Sequence, residues 1–118
     1  MDKAEYQSRL EELNSLVKKE DYEGALAVVE AVDWRRVKSL RTLGMVADVY
    51  EANKRYPEAK KILLMAYDRS SIGKGILYRL VEVSVKMKDF DEAIDFYNEF
   101  EAVARHDNSR YLLKYKIL

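Results

Sequence analysis

The stretch KDFDEAIDFY, Lys88 to Tyr97, has two earlier counterparts in the chain: KRYPEAKKIL, Lys54 to Leu63, and EDYEGALAVV, Glu20 to Val29. Each begins 34 residues before the next. Within them Ala25, Ala59 and Ala93 hold one place, and three residues before each stands an aromatic: Tyr22, Tyr56 and Phe90. Val29, Leu63 and Tyr97 follow the alanines, and then Val32, Ala66 and Phe100. Those offsets trace one face of a helix. A small residue between large ones on such a face lets two helix backbones approach closely.

A second amphipathic segment precedes each copy. Leu43, Val46, Ala47 and Tyr50 form a stripe, and Leu77, Leu80, Val81 and Ser84 occupy the matching places. In the first copy Leu13 and Leu16 match, while Arg9 and Glu12 interrupt the stripe, as suits a terminal repeat with one face in water. Asp21 and Asp89 are placed to cap the helices that follow them, and Pro57 falls in a first helical turn, where its missing N–H costs nothing. The pattern predicts seven helices, at 3–19, 22–32, 35–53, 56–69, 73–87, 90–105 and 108–118.

Two antiparallel helices per 34 residues resembles the tetratricopeptide repeat family, and the resemblance spans nearly the whole chain. The pairs Tyr22/Ala25, Tyr56/Ala59 and Phe90/Ala93 carry it. Gly24 and Pro57 depart from the family pattern near the helix starts. Leu13 and Val81 stand where its small first-helix residue, here Ala47, belongs. Val37, Ser71 and Arg105 replace its unit-ending proline. The resemblance implies an all-α, right-handed superhelix in one array, with units at about 6–39, 40–73 and 74–107 and a partial unit at 108–118. The array stops after the first helix of a fourth unit, which reads as a piece cut from a longer protein. Leu112, Leu113 and Ile117 would then be partly uncovered and would favour a homodimer through the last helix.

Composition narrows the function classes. The chain has 118 residues, 48% hydrophobic and 36% charged, and its 21 Lys+Arg balance 21 Asp+Glu. A neutral chain lacks the basic footprint of a nucleic-acid binder, which counts against RNA binding by a helical repeat of similar period. With no cysteine there is no disulfide, thiolate metal site or cysteine nucleophile, and a reducing cytoplasm fits. No apolar run approaches membrane-spanning length. The first 37 residues carry six bases and nine acids, whereas Lys38 to Ser71 carry seven and four, so neighbouring units alternate in sign and should attract.

Nothing in the sequence assembles a catalytic centre, a metal site or a cofactor site. His106, the single histidine, lies beside Asp107 in a turn with no nucleophile or second ligand. IGKG, Ile72 to Gly75, lacks the phosphate-loop spacing. Trp34, at the join of the first two units, reads as a plug of the core between them.

The expected function is therefore protein–protein interaction. In the family that the chain resembles, the first helices of successive units line a concave groove that holds a peptide or a partner helix. Residue by residue, this gives three columns: Leu10, Gly44, Tyr78 and Leu112; Asn14, Asp48, Glu82 and Lys116; and Val17, Glu51 and Val85. Arg41 and Gly75 flank them on one side and Lys86 on the other. Gly44, mid-helix, should face Tyr78 across the join, as packing space or as a notch with an aromatic wall. Asp48, Glu51 and Glu82 make an acidic floor suited to Lys or Arg among apolar anchors, with Arg41 and Lys86 as local counter-charges. Gly75 reads as a turn glycine. A carboxylate clamp for the tail of a heat-shock chaperone is not expected. Asn14 and Arg79 fit it, but Leu10, Met45 and Gly75 stand where its other polar residues belong.

Overall fold

The structure is a computed structural model that describes residues 2–104 and Ile117. Among the described residues it is all-α, with α1 Lys3–Lys18, α2 Tyr22–Glu30, α3 Leu40–Ala52, α4 Tyr56–Arg69, α5 Lys74–Lys86 and α6 Phe90–Val103. Each helix packs against the next in the chain. The expected helix at 108–118, with His106, Leu112, Leu113 and Lys116, lies outside the described residues except for Ile117, which is half-buried against the core. No helix among the described residues is long and apolar enough to cross a membrane.

The repeat is written into the backbone as well as the sequence. Glu20, Lys54 and Lys88 have φ of 59°, 58° and 60°, the left-handed region. At each, the residue's N–H donates to the carbonyl three back, and the next N–H donates to the carbonyl five back, over 2.8–2.9 Å. This double bond satisfies helix-end carbonyls and reverses the chain within two or three residues. Asp21 and Asp89 then cap α2 and α6, accepting from the N–H of Gly24 and Glu92. Pro57 sits in the first turn of α4, as its chemistry requires.

Side-chain ties between units repeat the period. Asn53 donates to the Tyr22 carbonyl, Tyr67 to Glu99, Lys60 to Glu92 and Arg69 to the Arg35 carbonyl, at separations of 31, 32, 32 and 34 residues. The alternating charge of the units is used here. Arg55 and Lys60, from the basic second unit, pair with Glu30 before it and Glu92 after it.

Ala25, Ala59 and Ala93 are fully buried, as are Leu13, Leu43, Val46, Ala47, Leu77, Leu80 and Val81. Trp34 is 4% exposed and part of the core, edge-on to Tyr6, with its indole N–H on the Val29 carbonyl at 2.9 Å, both partners lying in the first unit. Ser84 takes a stripe position and is fully buried, and its hydroxyl has no partner among the described residues.

Three expectations need correction. Residues 35–39 are not helical. The Asp33 carboxylate accepts from the Arg35 N–H, Val37 N–H turns back to the Trp34 carbonyl, and Ser39 caps a new helix through Thr42. Phe90, unlike Tyr22 and Tyr56, stays 46% exposed. The turn glycine is Gly73, not Gly75. Gly73 has φ of 69°, and a Cβ there would meet the Tyr67 ring and the Ser70 hydroxyl at 2.6 Å; Gly75 has open space.

Two stability measurements follow. Gly73→Ala should cost about 2 kcal/mol from combined strain and overlap, whereas Gly75→Ala should be neutral or stabilising. Ser84→Ala should raise stability by about 1 kcal/mol, because it deletes a buried hydroxyl with no partner among the described residues. Urea unfolding monitored by circular dichroism reads both.

Candidate partner-binding face

Asp48, Glu51 and Glu82 lie near one another, and the residue between the first two is one outside the expected set. Arg79, on α5, crosses to α3. Its guanidinium donates to the Gly44 carbonyl at 3.2 Å and to the Asp48 carboxylate at 2.6 Å, and lies 3.7 Å from Glu51. Arg79 and Asp48 are 31 residues apart, and Arg79 and Gly44 are 35 apart. In a stack of period 34, such separations place side chains across one unit boundary. A search for opposite charges near that spacing would have found the pair.

Asp48 is exposed, and Glu51 is half-buried behind it. Burial pushes the Glu51 carboxyl up from its ordinary value; Arg79 and Lys86 pull it down, and Asp48 and Glu82 reinforce the rise. Glu51 therefore stands among two further acids and two bases. Lys86 also lies 5.6 Å from the centre of the Tyr56 ring on α4, a cation–π contact that draws it toward the next layer.

Several expected contacts do not form. Arg41 is exposed and pairs with neither Asp48 nor Glu51; Arg79 takes that role. Tyr78 does not fill the space over Gly44. It is half-buried and edge-on to Phe100 of α6, with ring centres 5.8 Å apart at 70°. Among the described residues a Cβ on Gly44 would meet the Arg79 guanidinium alone, at 3.5 Å, an ordinary contact, and the same guanidinium lies over the Gly44 carbonyl. Leu10 is half-buried and Asn14 exposed on α1, and no polar contact joins either side chain to the cluster.

Carboxylates from two neighbouring helices, the half-buried Glu51 among them, thus gather around the Arg79 guanidinium. Among the described residues no group of three or more His, Cys, Asp or Glu side chains could hold a metal ion. No family model matches the chain, and no curated protein matches it.

The Glu51 shift has a measurable consequence. A carboxyl whose folded value lies above its unfolded value adds stability below the unfolded value, and that contribution is lost as pH rises through the folded value. Wild-type stability should therefore contain a component that falls from mildly acid towards neutral pH. Glu51→Gln should remove it, which urea midpoints measured across that window would show.

Proposed function

We propose that the chain is a protein–protein interaction module of tetratricopeptide-like architecture, working in the cytoplasm and without catalysis. The face of α3 and α5 is its working surface. It takes an extended peptide or a helix that carries Lys or Arg among apolar residues. Asp48, Glu51 and Glu82 read the positive charge, the Gly44 notch admits a side chain, and Tyr78 supplies aromatic surface at the edge. Leu10, Asn14, Arg41 and Lys86 form the periphery.

The observation that carries this reading is Glu51. A carboxylate held half-buried beside two further acids costs stability, and a partner cation would offset that cost. Gly44 points the same way. A helix-interior glycine costs about 1 kcal/mol against alanine, and no packing neighbour among the described residues demands it here.

The test is a panel of fluorescent peptides with one or two Lys or Arg among apolar residues, screened by polarisation. Glu82→Lys should weaken the best binder by about tenfold or more. Gly44→Ala should raise the melting temperature yet weaken the same peptide. A panel with no binder, or binding indifferent to Glu82→Lys, rejects the assignment.

A further inference from the structure

The first unit breaks the regularity of the array at one place. Helix α2 has 9 residues, whereas its counterparts α4 and α6 have 14 each. The chain thus saved is spent on residues 31–39, which are not helical. Yet this segment is fixed at several points. Trp34 is buried and bonded to the Val29 carbonyl, and Val37 N–H donates to the Trp34 carbonyl at 3.1 Å. Arg69 reaches over from α4 to the Arg35 carbonyl. An irregular stretch pinned in this way, inside an otherwise periodic fold, is where a site is expected.

Between this segment and the first turns of α1 lies an open cleft of about 910 Å³. That is within the size range of ligand sites. Tyr6, Val32 and Val37 give it an apolar lining, and Lys3, Arg36 and Lys38 stand around it. Its two acids are already engaged. Asp2 accepts from the Glu5 N–H at 2.8 Å, and Asp33 grips the Arg35 guanidinium at 2.7 Å. Lys3, Arg36 and Lys38 are exposed, and their side chains make no hydrogen bond or ion pair among the described residues. This cationic rim is not a by-product of a basic chain, since the first 37 residues hold six bases against nine acids.

We propose that this cleft is a second binding site, for an extended acidic peptide segment: its carboxylates meet Lys3, Arg36 and Lys38, and an apolar side chain rests on Tyr6 and Val37. Charge complementarity selects the ligand's sign, and the apolar lining selects peptide over nucleic acid. A phosphate track needs a longer run of cations and gains nothing from Val32 and Val37. The site shares no residue with the acidic face on α3 and α5 and has the opposite preference, so either can fail without the other.

Trp34 is the only tryptophan and lies edge-on to Tyr6, a lining residue, so its fluorescence reports on the cleft. The probe is a synthetic peptide of glutamates around a central leucine. Its glutamine counterpart and a single-stranded oligonucleotide of equal charge serve as comparisons. The glutamate peptide should bind, weaken with added salt, and lose about tenfold or more in affinity with the double variant Arg36→Glu/Lys38→Glu. Lys61→Glu, an exposed charge reversal on α4, and Glu82→Lys, on the acidic face, should leave it unchanged. Both reversed cleft residues are exposed, so a thermal melt matching the wild type separates lost binding from lost folding. No binding, equal binding of the glutamine peptide, tighter binding of the oligonucleotide, or an equal loss with Lys61→Glu would each overturn the proposal.

Discussion

Everything in this fold depends on how closely the helices approach at Ala25, Ala59 and Ala93. All three are fully buried, and each is flanked along its helix by larger apolar groups. A methyl group there sets the separation of the packed backbones, and the larger neighbours then interdigitate around it. A longer side chain would push the layers apart and uncouple Leu43, Val46, Leu77 and Leu80 from their partners. One helical hairpin cannot cover its own apolar face, so each unit supplies the wall that the one before it lacks.

The turns show a second constraint acting in step with the first. Close antiparallel helices need a very short reversal, and a left-handed residue followed by paired backbone hydrogen bonds provides it. Glutamate and lysine pay a local strain at these positions that glycine would avoid. The three turns share a conformation although glutamate stands at one of them and lysine at the other two. Packing on both sides has imposed the conformation on whatever side chain stands there.

Charge is arranged on two scales. Between units, opposite signs meet on α2, α4 and α6, as Arg55–Glu30 and Lys60–Glu92 show. On α3 and α5, Arg79 pairs with Asp48 and lies near Glu51, which is drawn partly out of water. The cleft beside Trp34 is the converse, a rim of cations whose neighbouring acids are already engaged. Among the described residues the interior is apolar apart from Ser84 and Thr42.

The existence and order of the helices, the buried stripes and the Asp21, Pro57 and Asp89 helix starts were legible in the sequence. They rest on local rules: the 3.6-residue periodicity, the first-turn chemistry and a 34-residue repeat. The acidic cluster was legible too, because matched positions in a repeat become neighbours. Arg79 as its centre, Tyr78 turned to Phe100, and the unwinding of residues 31–39 around Trp34 were decided only by the tertiary structure. The reason is common to all three. A long side chain can reach several partners from one helix position, and a helix can be ended by a buried indole. Which of these wins depends on what the neighbouring unit presents, and a local pattern carries no record of that.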